Sequence, residues 1–159
     1  MAKNIPLSTI GVKVSYCVET AAGERPSANY THIPGIYSTP DFNIAPSTAD
    51  TTSFDNLEYT SKTPLLKEIP DTIEFGVRLG QEFVTQWEAL IEAYTTAIAA
   101  NKETWFCIDV PGLTKSIYFT GRPLTLGLPA MEANSGIDSS AFVAPTGEPT
   151  FSSDPTYKE

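Results

Sequence analysis

Residues 38–80 read STPDFNIAPSTADTTSFDNLEYTSKTPLLKEIPDTIEFGVRLG. The first part, from Ser38 to Lys62, is polar and rich in threonine, and it shows neither a helical nor a strand period. The last part alternates strictly, because Ile73, Phe75 and Val77 are each separated by one polar or small residue. This alternation is typical of a half-buried β-strand and predicts one through Leu79.

The segment from Ser38 to Lys62, here called the arm, is long for a connection inside a compact domain. Such connections are usually functional or disordered. Disorder goes with low hydrophobicity and high charge, whereas this segment carries scattered apolar residues. We therefore expect the arm to find its partner on another subunit. The apolar residues predicted to make that contact are Phe42, Ile44, Phe54, Leu57 and Tyr59.

The composition of the chain fits a single domain that engages other proteins. At 159 residues it can bury a substantial core. Only 18% of the residues are charged, below the ~25% usual for soluble domains, so more surface than normal is neutral or in contact with partners. The formal net charge of -9 opposes specific nucleic-acid binding, which needs clustered lysine and arginine.

Outside the arm, period-two alternation and turn residues predict six further strands. Residues 12–19 form the first, and residues 30–37 form a second that Pro34 and Gly35 interrupt. Beyond residue 100, strands are predicted near 105–110, 115–120, 124–128 and 139–144, the first two joined as a hairpin through Pro111 and Gly112. We expect the sandwich domain to cover residues 1–151 and residues 152–159 to be an irregular tail, with Phe151 as its anchor.

One helix is predicted, over about residues 82–100. Its apolar positions recur at spacings of three and four, opposite an acidic and polar face, and Asn101 and Lys102 suit its end. The apolar positions are Val84, Trp87, Leu90, Ile91, Tyr94 and Ile98. The order of elements contains no βαβ repeat, so the predicted class is α+β, mainly an antiparallel β-sandwich or barrel with one flanking α-helix and a long inter-strand arm.

Residues for catalysis or metal binding are sparse. His32 is the sole histidine, and the chain has no nucleophile elbow, Walker A loop or zinc-protease motif. Cys17 and Cys107 are far apart, and we expect two buried, reduced thiols rather than a disulfide or a zinc site. We expect no enzyme activity, no cofactor, no metal and no membrane insertion, since neither a signal peptide nor an apolar run of about 18 residues is present.

Three phrases give the chain a family resemblance. They are Asp50-Thr-Thr-Ser-Phe-Asp55 in the arm, Ile69-Pro-Asp-Thr-Ile-Glu-Phe-Gly-Val77 in the strand that leaves it, and Ala144-Pro-Thr-Gly-Glu-Pro-Thr-Phe151 near the end. Together with the order of elements, from Ile10 to Phe151, the chain resembles the tail tube, or major tail, proteins of long-tailed bacteriophages.

This resemblance implies a structural virion protein whose hexameric rings stack into a tail tube, the conduit for DNA ejection. Its implied partners are further copies of itself, a tape-measure protein and a tail terminator, while DNA passes the lumen without specific binding. Its implied location is the virion tail, and the host cytoplasm before assembly. An acidic lumen would repel DNA at each ring. Candidates for that wall are Glu74, Glu58, Asp55, Asp109 and Glu132.

A second hypothesis is a β-sandwich binding module, such as an adhesin or carbohydrate-binding domain. It would share the strands and the surface tyrosines, which are Tyr30, Tyr37, Tyr59 and Tyr118. It would not need an arm of this length. Electron microscopy separates the two hypotheses, because rings or tubes favour the first and monomers with glycan affinity favour the second.

Overall fold

The structure, a computed structural model, describes residues 7–43, 45–55 and 57–158. In these ranges the chain forms ten β-strands and one α-helix. The strands are β1 (Lys13–Val18), β2 (Thr31–His32), β3 (Ile36–Ser38), β4 (Thr48–Asp50), β5 (Lys62–Pro64), β6 (Ile73–Arg78), β7 (Thr104–Asp109), β8 (Lys115–Pro123), β9 (Asp138–Pro145) and β10 (Thr150–Ser153). The helix, α1, spans Gln81–Ala99 and follows β6.

Eight strands pair antiparallel in one curled sheet that forms a half-barrel. Its order is β2-β1-β7-β8-β9-β6-β3, and β10 also pairs with β8. The two remaining strands, β4 and β5, make a separate hairpin within the arm. The predicted fold class, an antiparallel β-rich α+β fold with a single helix, is confirmed.

Strand β8 has two successive partners along one edge. Its end pairs with β9 through Gly121 and Pro145, and its start pairs with β10 through Tyr118 and Thr150. Between these pairs the chain bulges over residues 146–149, where the amide of Thr146 donates to the carbonyl of Thr120 at 3.0 Å. The opposite edge of β8 pairs with β7. In the described part of the chain β10 pairs with β8 alone, so the outer edge of β10 meets no strand.

Helix α1 closes the core against β1 and β8. Its fully buried residues are Phe83, Trp87, Leu90 and Ala97, and Val84 and Ile91 pack beside them. The indole Nε1 of Trp87 donates to the carbonyl of Leu124 at 2.9 Å. The helix ends as predicted: Asn101 has a φ of 60°, and its amide donates to Ile98 at 3.1 Å, so the chain turns away there.

Two predicted strands differ from the structure. The expected strand over residues 30–37 is two strands, because Gly35 with a φ of 83° turns the chain, and β2 and β3 lie at opposite ends of the sheet. The expected strand over residues 124–128 does not form. Leu124 bonds to Phe142 and Trp87, after which the chain leaves the sheet and Leu126 packs on the core.

The segment expected to be an irregular tail is bonded into the fold. Ser152 and Ser153 belong to β10, and Tyr157 forms a parallel bridge with Tyr30. Phe151, the expected anchor, is 62% exposed. The anchor is instead Tyr157, which packs against the buried cluster of Tyr30, Cys107 and Tyr118 on the outer face of the sheet.

Candidate assembly surface

The arm is a hairpin that stands apart from the main sheet. β4 and β5 pair antiparallel, with Asp50 opposite Lys62 and Thr48 opposite Pro64. The sequence predicted no strand here, because each strand has three residues and the bonds that hold them are local. Asp50 accepts from the amide of Thr52 at 2.9 Å and from its hydroxyl, and both bonds lower the pKa of the Asp50 carboxyl.

The tip of this hairpin carries large apolar side chains that are mostly exposed to solvent. Phe54 is 102% exposed, Leu57 is 91% exposed and Tyr59 is 77% exposed. Single exposed apolar residues are ordinary, but three within residues 54–59 form a patch, which typically marks an interaction site. The structure thus places these three predicted contacts together. Ile44, another predicted contact, lies outside the described residues.

Phe42, the remaining predicted arm contact, is part of the subunit's own core. Its side chain is half-buried, and its ring lies 5.0 Å from that of Phe119, centroid to centroid. The arm therefore begins at an anchored residue rather than a free one. This burial comes from packing across the fold, which sequence position alone does not reveal, and the role of Phe42 as an inter-subunit contact remains a prediction.

A cavity of about 910 Å³ separates the base of the arm from β10. Its walls are residues 39–43 of the arm, residues 65–70 that follow the arm, and the bulge with β10, residues 145–151. Its floor consists of the core residues Ile108, Val110 and Ile117. The outer edge of β10 lies beside this space, so the sheet is open where a further extended segment could add to it.

The five acidic residues predicted for a lumen wall do not form one surface. Asp55 and Glu58 lie on the arm tip, and Glu132 lies in the loop between β8 and β9. Glu74 on β6 is exposed and accepts a hydrogen bond from Ser140. Asp109 is half-buried and accepts from the hydroxyl of Tyr157 at 3.0 Å, which makes it a contact inside the fold. Their lumen role remains a prediction.

The outer face of β6 and β9 carries charges of both signs. Arg78 pairs with Asp138 at 3.5 Å and lies over the ring of Tyr37 at 4.9 Å. Tyr37 also covers Gly76, where an added Cβ would lie 3.1 Å from the tyrosine ring. This face is therefore mixed rather than uniformly acidic.

A second groove, which we call the helix groove, has a volume of about 440 Å³ and lies between α1 and the loop after β8. Its apolar lining includes Trp87, Ile91 and Leu126. Glu88 and Glu92, both exposed, stand at its margin. This groove was not predictable from the sequence, because residues 124–128 alternate like a strand and only the structure shows them lying along the helix.

No catalytic arrangement emerges from the polar groups of the described residues. His32 is exposed, and no group of three potential metal ligands occurs within the described ranges. Cys17 and Cys107 are free thiols, and burial raises the pKa of Cys107 to about 11. Within the same ranges, no helix has both the length and the apolar character needed to cross a membrane.

Comparisons with known proteins give a match at the level of structure. No family model matches the chain, and no curated protein matches it. Among solved structures, the chain is similar to one in a cryo-EM structure of the anti-feeding prophage (AFP) baseplate, 6-fold symmetrised. The TM-score is 0.63, the identity is 7%, and the match covers 95% of this chain and 98% of that chain. The likeness is one of fold.

The arm, the open edge of β10, the cavity beside β10 and the helix groove are all features suited to contact with protein. They consist of apolar side chains and unpaired strand edges rather than converging nucleophiles, bases or metal ligands. Apolar grooves and unpaired strand edges of this kind can bind extended segments of protein.

Proposed function

We propose that the protein is a structural subunit of a phage-tail-like particle, and that its copies close into hexameric rings that stack into a tube. The observation that carries this proposal is the arm, a hairpin outside the main sheet whose tip residues Phe54 and Leu57 are exposed by 90% or more. A subunit that acted alone would gain nothing from this patch, which favours aggregation. A subunit that assembles buries it against a neighbour.

The fold likeness supports the same proposal. The matched chain comes from a baseplate solved with 6-fold symmetry, and the match covers nearly the full length of both chains. The half-barrel also has strand edges to offer. β2 and β3 end the main sheet, and β10 has an unpaired outer edge within the described residues. Pairing such edges between neighbours in a ring removes a feature that otherwise promotes nonspecific association.

The charge of the chain is consistent with a conduit for DNA. A net charge of -9 allows a lumen wall that repels the phosphate backbone, so DNA would slide past without binding. In this proposal the protein has no catalytic role. Its partners are further copies of itself, a tape-measure protein and a tail terminator, and its location is the host cytoplasm before assembly and the virion tail afterwards.

The test replaces residues 51–61 with Asn-Gly, which closes β4 onto β5 with a two-residue turn and removes the apolar tip. We expect the shortened protein to fold and to remain monomeric by light scattering, while the intact protein at high concentration forms rings or tubes in negative stain. The control is the double variant Ser53→Ala and Thr60→Ala, which leaves the apolar tip in place and should assemble normally. Tubes from the shortened protein would refute the role of the arm, and monomers with glycan affinity would favour a binding module.

A further inference from the structure

The helix groove has an apolar floor that none of the described residues fills. The described residues leave a volume of about 440 Å³ between α1 and residues 125–128. Trp87 is buried at its base, and Leu128 at its margin is 82% exposed. A space of this size accommodates two or three aliphatic side chains. Because the floor is apolar, side chains such as leucine would fit it best.

The rim of the helix groove adds a charge requirement. α1 contains three glutamates and no lysine or arginine, and two of them, Glu88 and Glu92, stand one turn apart on the rim. Like charges at this spacing repel each other. No cation of the described residues lies within 4.0 Å of either carboxylate. The occupant that fits best therefore carries an apolar side chain next to a positive charge.

The stretch that begins at the last residue of the arm offers such a segment. Residues 62–67 read KTPLLK, with a lysine at each end and a net charge of +2. Leu66 is 91% exposed and Leu65 is 51% exposed, so the chain's own fold leaves both largely uncovered. The arm tip is a poorer match, since Asp55 and Glu58 would meet the glutamates of the rim. Charge thus distinguishes residues 62–67 from the arm tip.

We propose that residues 62–67 of one copy dock in the helix groove of another copy, with Leu66 on the apolar floor and Lys67 against Glu88 and Glu92. This inference rests on the proposed function, because it requires self-assembly, and it specifies where one subunit meets the next. The contact needs no opening of the core, as the limb and the groove are both on the surface of the folded chain.

A charge exchange tests the contact. Lys67→Glu, and separately the pair Glu88→Lys with Glu92→Lys, should each raise the protein concentration needed for assembly about tenfold, since like charges then face each other. Combining the three substitutions in one chain should return that concentration to within about threefold of the wild-type value, because the attraction is restored with its signs reversed. Glu82→Lys is the matched control, as Glu82 lies on the same helix outside the groove and should have no effect.

Disulfide trapping gives an independent readout. Leu66→Cys in one preparation and Gly127→Cys in another are both surface substitutions, and a Cβ at Gly127 meets nothing within 4 Å. Mixing the two preparations under assembly conditions and oxidising them should yield a cross-linked dimer that contains one copy of each. Ser53→Cys mixed with Gly127→Cys is the matched control, because it places the thiol on the tip, and it should give no such dimer.

The outcomes separate the two proposals. If rings or tubes form but the charge exchange restores nothing and no Leu66→Cys to Gly127→Cys dimer appears, the docking inference is overturned and the proposed function stands. If no variant assembles, the wild type included, both are overturned. If assembly is restored by the exchange and the dimer forms between copies, residues 62–67 and the helix groove are partners.

Discussion

The ring of Phe42 packs on the ring of Phe119, with their centroids 5.0 Å apart and their planes tilted by 47°. Phe119 is completely buried, so this contact ties the start of the arm to the core. Phe54, at the tip of the same arm, is completely exposed. Two phenylalanines of one segment therefore act differently, since the first positions the arm and the second belongs to the surface that a neighbour would cover.

Phe42→Ala should destabilise the subunit, whereas Phe54→Ala should not. Removing a half-buried aromatic ring from the core margin costs about 2 kcal/mol of unfolding free energy, while a substitution at a fully exposed site changes it by less than about 0.5 kcal/mol. Urea unfolding measured for both variants checks this difference. An equal loss of stability at the two positions would show that the arm tip packs on its own subunit in solution.

The helix and β6 were predictable because each carries a period that only one structure satisfies. Trp87 and Leu90 recur at helical spacing, and Ile73, Phe75 and Val77 alternate on a strand whose one face is buried. The alternation at residues 124–128 predicted a strand that does not form, because a period of two shows only that a segment can pair in a sheet, not that it does. Here the amide of Leu124 still donates to the carbonyl of Phe142 in β9, but the chain then leaves the sheet and Leu126 packs on the core.

The assembly surface was predictable only in part. The sequence shows that apolar residues occur in a polar arm, but it does not show which of them fold back, because Phe42 and Phe54 have similar surroundings in the chain. The doublet of Leu65 and Leu66 fits neither a helical nor a strand period, although an apolar pair beside Lys67 is itself a sign of a contact surface. The helix groove depends on two segments more than thirty residues apart, which no local pattern reports.

Gly121→Ala should lower stability through overpacking. A Cβ at this buried position would lie 2.5 Å from Cγ1 of Val143, which is itself fully buried. Overpacking of this kind costs about 1–3 kcal/mol. Gly127→Ala is the matched control, since its Cβ meets nothing within 4 Å. Thermal unfolding of both variants checks the prediction, and equal melting temperatures would contradict the close packing of β8 against β9.

The carboxylate of Glu19 should make stability depend on pH. The side chain is 4% exposed, and it accepts from the amides of Gly23 at 3.0 Å and Glu103 at 3.1 Å and from the indole of Trp105 at 2.9 Å. Burial acts to raise the pKa of Glu19, but these bonds outweigh it and the pKa is lowered. A lowered pKa in the folded state means that Glu19 stabilises the protein above its unfolded pKa, and that this contribution is lost as the pH falls through the folded pKa.

The measurement is urea unfolding at several pH values below about 5, where the unfolded carboxyl takes up its proton. The wild type should lose more stability over this window than Glu19→Gln, in which no proton is taken up at this position. Glu24→Gln is the control, because Glu24 is exposed in the following turn and should behave like the wild type. Identical pH profiles for wild type and Glu19→Gln would show that Glu19 does not contribute to the pH dependence of stability.

The last residues of the chain should protect Cys107 from modification. Residues 154–158, here called the strap, cross the outer face of the sheet: Lys158 donates its amide to the carbonyl of Tyr30 at 2.8 Å, and Tyr157 donates its hydroxyl to Asp109 at 3.0 Å. Beneath the strap Cys107 is completely buried, and burial raises its pKa to about 11, so little thiolate exists at pH 8.

The test uses a Cys17→Ser background, which leaves Cys107 as the one thiol. Truncation after Ser153 should accelerate the reaction of Cys107 with a disulfide-forming reagent by about tenfold or more. The reason is that opening of this face then no longer requires the strap to detach. Tyr157→Phe loses only the bond to Asp109 and should give an intermediate rate. Reaction rates at pH 8, followed below the unfolding transition, check the order of the three proteins. An unchanged rate after truncation would mean that Tyr30 and Tyr118 alone exclude the reagent, and that the strap adds no protection to the sheet.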